Sequence, residues 1–167
     1  MGIDCSTAII EEYRQSGLFS NIVAGDVERL DEVAITRRFD VVIAGDIIEH
    51  LSNPGRMLDG LRRFCSADTR LIITTPNAFG APNFLRHSVG KFREGDEHVV
   101  CFNAQNLTTL LKRHGYSLLE LHTCFQPLSA GKHSRILFGL GRKALELFPQ
   151  FGGTLLAVAK LKATTVQ

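Results

Sequence analysis

Residues 39–51 read Phe39-Asp40-Val41-Val42-Ile43-Ala44-Gly45-Asp46-Ile47-Ile48-Glu49-His50-Leu51. The stretch 39–44 is a short, continuous apolar run of the kind found in strands buried on both faces of a parallel sheet, and it stops at Gly45-Asp46. An earlier run, residues 21–24, stops in the same way at Gly25-Asp26. Downstream, Asn53-Pro54 starts a helix, because Asn caps and Pro loses no hydrogen bond at the first helical position. Met57, Leu58, Leu61 and Phe64 then follow helical spacing, and residues 70–75 (RLIITT) form the next strand, stopped by Pro76.

The same alternation extends in both directions. Gly2-Ile3-Asp4 is a strand end, Ser6 caps a helix over residues 7–15, and Gly17 ends it. Leu107, Leu110 and Leu111 place an apolar stripe on a helix that ends at Gly115, residues 116–125 return as a strand, and Thr154–Leu161 closes the chain as another. Residues 134–148 are a further amphipathic helix, with Arg135, Arg142 and Glu146 opposite Ile136, Leu137, Leu140 and Leu147. Strands separated by helices predict an α/β fold, a Rossmann-like and mostly parallel sheet with helices on both faces. Residues 77–103 show no clean period and are expected to form a long loop, a lid over a binding site.

Bulk properties set limits. At 167 residues and 44% hydrophobic, one domain with a real core is expected. Residues 1–60 hold 5 Lys and Arg against 11 Asp and Glu, and the remainder 14 against 6. A basic rear can face an anionic substrate or membrane, although scattered solvated charges give the same count. No nucleic-acid partner is expected. Cys5, Cys65, Cys101 and Cys124 form no C-x-x-C pair, which argues against zinc or redox motifs and for a reduced, cytoplasmic location. Neither a signal peptide nor a membrane span is evident.

The chemistry-bearing residues sit at strand ends, where such sheets bind ligands. Asp4, Asp26 and Asp46 occupy three of them. A carboxylate there can accept both ribose hydroxyls of a nucleoside, or an exocyclic amine; Asp also favours turns and N-caps for local reasons. Glu49-His50 follows the third strand end, and an imidazole with a pKa near neutrality suits general-base work on a hydroxyl, although His50 could equally fix a loop by hydrogen bonding. His98 is a second such candidate, on the lid. His114, near a helix C-terminus, complements the helix dipole. No His, Asp and Glu grouping at ligand spacing in the sequence asks for a metal, and none is expected.

In order and spacing, Gly2-Ile3-Asp4-x-Ser6, Gly25-Asp26-Val27, Phe39–Ile43 leading into Ile47–Leu51, and Ile72-Ile73-Thr74-Thr75-Pro76-Asn77 together resemble the class I S-adenosylmethionine-dependent methyltransferases. The nearest likeness is to small-molecule O-methyltransferases related to quinone-biosynthesis enzymes. His98 with Phe102 before a helix, and the Gly115-Tyr116 strand entry, extend the similarity; residues 126–153 fall outside it and are read as an insertion. The resemblance implies an antiparallel C-terminal strand and S-adenosylmethionine as cofactor. It assigns the ribose to Asp4, the adenine to Asp26 and Val27, and the methionine end to the backbone around Gly45 and Asp46. Glu49 and His50 then stand where a small or lipid-linked methyl acceptor enters, with His98 on the substrate side.

The resemblance also implies a glycine-rich loop after a first strand, which Gly139-x-Gly141, within a helix candidate, does not supply. The expectation is therefore a domain truncated at its N-terminus, either through a misplaced start or as a partner-completed, non-catalytic form. Loss of a central strand would leave open sheet edges through which the chain could self-associate. Peripheral membrane contact through the helix carrying Arg135, Arg142 and Lys143 is a further expectation. A nicotinamide-dependent oxidoreductase would share the second-strand acid, but would give Gly25-Asp26 and Glu49-His50 no role.

Overall fold

The computed structural model describes residues 1–17, 21–90, 97–124 and 148–163. Its strands are β1 (Gly2–Asp4), β2 (Ile22–Ala24), β3 (Phe39–Gly45), β4 (Cys65–Pro76), β5 (Tyr116–Cys124) and β6 (Thr154–Leu161). The helices are α1 (Thr7–Ser16), α2 (Pro54–Leu61), α3 (Ala81–Ser88) and α4 (Ala104–Arg113). The helix expected at 134–148, with its basic residues, lies outside the described residues apart from Phe148.

Local chemistry places the ends of α1 and the start of α2 where the sequence predicts them. Ser6 accepts from the Ile9 amide at 3.4 Å, and Gly17 ends α1 at φ +67°, in the left-handed region that favours glycine. Asn53 caps α2 by accepting from Arg56 N at 3.2 Å, with Pro54 following. Asn103 and Asn106 cap α4 reciprocally, each side chain taking the other's backbone amide.

Two sheets result. β1 pairs with β2 in parallel, and a four-stranded sheet runs β3-β4-β6-β5. β3 and β4 are parallel, while β6 inserts between β4 and β5 and is antiparallel to both. The parallel pairs and the antiparallel C-terminal strand agree with expectation. On one face of the larger sheet, Ala44, Leu71, Ile73, Leu155, Ala157 and Ala159 are buried against Met57 and Leu58 of α2 and Leu107 and Leu111 of α4.

Two expectations need correction. β3 is not buried on both faces: Val42 and Ala44 point into the core, but Val41 is 49% and Ile43 70% exposed. The reason is the separation of the sheets. No pairing joins β3 to β1, and a trough of about 450 Å³ lies beside them, lined by Ile3, Asp4, Val27, Val41, Ile43 and Gly45 among others. Residues 77–103 are not an uninterrupted loop either, because α3 lies within them. Its apolar members Phe84 and Leu85 stay exposed rather than forming a buried stripe, which is why no core-facing period shows in the sequence.

Candidate functional site

Asp4 is half-buried at the end of β1, where its Oδ1 accepts from the Ser6 amide at 2.7 Å and its backbone carbonyl from Gly25 N at 3.0 Å. Its Oδ2 makes no hydrogen bond among the described residues and is available to a ligand. Asp26 is exposed and caps the 3₁₀ segment Val27–Glu32, accepting from Glu28 N at 2.8 Å; Arg29 Nε lies 3.9 Å from its Oδ2. The local role open to any such Asp is therefore filled at Asp26. Val27 is half-buried against the core and lines the trough.

At the end of β3, Gly45 and Asp46 are both exposed. A Cβ at Gly45 would meet only Thr74 Oγ1 at 3.6 Å, so packing does not demand glycine there; its bare backbone keeps that side of the trough open. Asp46 has φ +47°, the one non-glycine residue at positive φ among those described. Thr74 holds it there: Asp46 N donates to the Thr74 carbonyl at 3.0 Å, and Thr74 Oγ1 donates to Asp46 Oδ1 at 3.1 Å. Backbone held in a sparsely populated region by specific bonds is found preferentially at ligand sites.

The 3₁₀ turn Ile48–His50 carries the next group. Glu49 is only 2% exposed, and its Oε2 accepts from Thr75 Oγ1 of β4 at 2.9 Å. His50 is half-buried. Its Nδ1 lies 3.1 Å from the Glu97 carbonyl, and since a carbonyl only accepts, Nδ1 carries the proton. The loop-fixing bond considered for His50 is thus made. The other ring nitrogen, Nε2, lies 4.0 Å from Glu49 Oε1, and the His98 ring meets that of His50 edge-on, 4.7 Å between centroids. Val99 N and Val100 N both donate to the Glu49 carbonyl, at 2.9 and 3.1 Å, which ties the segment carrying His98 to this turn.

Three positioning residues are not singled out by the sequence reading, although all lie in the quoted Thr74-Thr75-Pro76-Asn77 run. Thr74 and Thr75 hold Asp46 and Glu49. Asn77, buried, donates through Nδ2 to the carbonyls of Gln150 and Gly152 at 3.1 and 2.8 Å and accepts from Phe79 N at 3.2 Å. Beside it opens a cleft of about 820 Å³ lined by Phe79, Phe84, Leu121, Phe151 and Leu155. His114 does more than complement a dipole: its Nδ1 lies 2.9 Å from Asp59 Oδ1, tying α2 to the end of α4.

A sequence profile of the family described as "Methyltransferase domain" matches residues 3–121. The chain belongs to that methyltransferase family. No curated protein matches it by sequence. Among solved structures, an S-adenosylmethionine-dependent methyltransferase from Thermotoga maritima superposes with a TM-score of 0.67 at 16% identity, covering 97% of this chain and 73% of that one. One from Archaeoglobus fulgidus gives 0.62 at 17%, covering 96% and 75%. The magnesium protoporphyrin IX methyltransferase of Synechocystis PCC 6803, with S-adenosylhomocysteine bound, gives 0.63 at 15%, covering 96% and 63%. Identities this low speak to the fold, and they agree on it. S-Adenosylmethionine is the methyl donor named for these solved enzymes, and the residues here suit such a cofactor: a carboxylate oxygen on Asp4 with no hydrogen bond among the described residues, an apolar wall at Val27 and side-chain-free backbone at Gly45 border one trough.

Proposed function

We propose that this methyltransferase domain moves the methyl group of S-adenosylmethionine to an oxygen of a small or lipid-linked acceptor. The observation that carries the reading is the grouping of Asp4, Val27 and Gly45 around one trough, with Glu49, His50 and His98 gathered a few residues beyond its Ile47 wall. Asp4 Oδ2 accepts the ribose hydroxyls, Asp26 takes the adenine amine while Val27 packs on the ring, and the backbone at Gly45 and Asp46 receives the methionine end. The bound cofactor supplies an electrophilic methyl group, so the protein's task is largely in-line placement of the acceptor. Glu49 and His50 activate the acceptor hydroxyl, and His98 contacts the acceptor from the segment 77–103, which serves as the lid. An apolar or lipid-linked acceptor is supported by the cleft lined by Phe79, Phe84 and Phe151.

The test is transfer of label from methyl-tritiated S-adenosylmethionine to a panel of phenols and prenylated phenols, with the product position assigned by mass spectrometry. A labelled methyl ether is expected. Label on nitrogen or carbon would overturn the oxygen assignment.

A second reading, a partner-completed domain, is favoured by the exposure of Val41 and Ile43 beside the trough. Covering an aliphatic side chain of this size stabilises by roughly 1.5–3 kcal/mol, which gives the open strand a reason to pair with a second copy. Sedimentation at increasing concentration is expected under this reading to show a dimer that Ile43→Lys dissociates.

A further inference from the structure

One end of the domain gathers cations. Arg37 and Arg38 precede β3, Arg62 and Arg63 lie between α2 and β4, Lys112 and Arg113 close α4, and Lys162 follows β6. All are exposed, and all sit where β3, β4 and β5 begin, the opposite end of these strands from Gly45 and Asp46. We propose that this end is a docking surface for the phosphodiester backbone of a nucleic-acid strand. The proposal does not rest on the methyl-transfer reading, because the trough lies at the other end.

Contacts join these cations into a row. Arg14 of α1 and Arg37 border one hollow of about 470 Å³. Arg37 stands over the Phe39 ring, 4.5 Å from its centroid, and Arg63 over Phe64 at 5.3 Å; the two rings meet edge-on at 6.5 Å. Arg62 lies beside Gly115, where an added Cβ would come within 3.3 Å of its Nη1. Lys162 donates its backbone N–H to the Gly115 carbonyl at 2.9 Å and its Nζ to the Lys112 carbonyl at 3.1 Å. The row therefore runs from α1 past β3 and β4 to α4.

The acids interspersed with it are Asp31, Asp40, Asp59 and Asp68. Asp59 is engaged by His114. Among the described residues none of the four pairs with a Lys or Arg, since the ion pairs of those side chains are both made by Arg29.

Part of the gathering has a local cause. Lys and Arg near a helix C-terminus complement its dipole, which accounts for Arg14, Lys112 and Arg113 and, just past α2, for Arg62. Arg37, Arg38 and Lys162 stand at strand ends, where the net dipole is small. Like charges held together without counterions repel, and an anion laid on the surface removes that cost.

Side-chain chemistry indicates the anion. Arg predominates in the row, and its planar fork pairs with two oxygens of one phosphate. Stacking on Phe39 and Phe64 and, for Arg63, a 2.7 Å bond to the Leu30 carbonyl hold two guanidiniums in place before binding, so less freedom is lost. A row of charges fits a partner whose charges repeat along a line, and the outer face of each guanidinium is a platform for a base. A lipid surface fits less well. The exposed aromatic side chains that would enter a bilayer, Phe79, Phe84 and Phe151, flank the opposite ends of β4 and β6. Charge counts along the chain gave no reason to expect nucleic acid; the fold makes the row from five separate segments.

The experiment is fluorescence anisotropy of the full chain with short labelled single strands of RNA and of DNA, one mixed sequence, between about 50 and 200 mM salt. Saturable binding that weakens as salt rises is expected, and the tighter of the two strands identifies the source of the backbone. In Arg37→Ala/Arg38→Ala the affinity should drop about ten-fold, and the slope of log affinity against log salt by about 1.4, two phosphate contacts at about 0.7 each. Lys112→Ala/Arg113→Ala, at the other end of the row, carries the same expectation and keeps the test decisive if the first variant fails to fold. Arg56→Ala, exposed in the first turn of α2, is expected to bind as the parent does. Failure of both strands to bind at the lower salt overturns the proposal, as does unchanged affinity in the folded double variants. Displacement of the bound strand by polyglutamate or by phosphatidylglycerol vesicles at equal charge also overturns it, because the surface would then read charge alone.

Discussion

Thr75 Oγ1 donates a 2.9 Å hydrogen bond to Glu49 Oε2, joining the end of β4 to a carboxylate that is almost wholly enclosed. The bond makes β4 the support of that carboxylate. Thr75→Val keeps the shape and removes the donor. Because a buried polar group loses its hydrogen-bond donor, a destabilisation of about 1–3 kcal/mol is expected in urea denaturation, with Thr75→Ser close to the parent. Equal stability of the Val variant would show that Glu49 does not depend on this bond.

Asn77 joins β4 to residues 150–152 through two carbonyls held by one amide nitrogen. In Asn77→Asp an acceptor replaces that donor opposite two acceptors. A loss of about 2–3 kcal/mol is expected near neutral pH, with partial recovery in acid as the new carboxyl regains a proton to donate. Denaturation curves at the two pH values check both parts.

Gly80 approaches the same junction. A Cβ there would lie 2.8 Å from the Gly152 carbonyl oxygen and 2.9 Å from Gly153 Cα, backbone atoms that cannot rotate away. Gly80→Ala is expected to cost about 1–3 kcal/mol through forced backbone shifts. Since both variants disturb Gly152, Asn77→Asp and Gly80→Ala should combine non-additively in a double-mutant cycle.

Tyr116 is buried and donates its hydroxyl to the Leu58 carbonyl at 2.8 Å, and burial raises its pKa above the ordinary value of 10.0. Above that ordinary value the unfolded chain releases the phenolic proton while the folded chain keeps it. The unfolded state then binds fewer protons, and stability falls as pH rises. Stability lost between pH 9 and 11 should therefore be smaller in Tyr116→Phe, although Phe also forfeits the hydrogen bond and starts lower.

Much of this architecture is legible in the sequence because local rules act alone there. Ser6, Gly17, Asn53-Pro54 and Gly115 mark helix ends by their own backbone chemistry, and the apolar runs mark β3, β4 and β6. What needed the structure depends on residues distant in the chain. The exposure of Ile43 reflects the separation of β1 from β3, which no property of residues 39–44 encodes. The meeting of His98 with His50 is made by backbone bonds from Val99 and Val100, so ligand spacing along the chain could not reveal it. Thr74 and Thr75 read only as β-branched strand residues until their hydroxyls are seen to hold Asp46 and Glu49.

The central claim is that the trough bordered by Asp4, Val27 and Gly45 is the cofactor site, and calorimetric titration with S-adenosylhomocysteine tests it most directly. The parent chain is expected to bind one equivalent, and Asp4→Ala to lose about ten-fold or more in affinity through two hydrogen bonds to a charged acceptor, while Asp40→Ala, exposed on β3, binds as the parent does. An Asp4→Ala chain that binds as tightly as the parent, or a parent chain that binds none, would contradict the account.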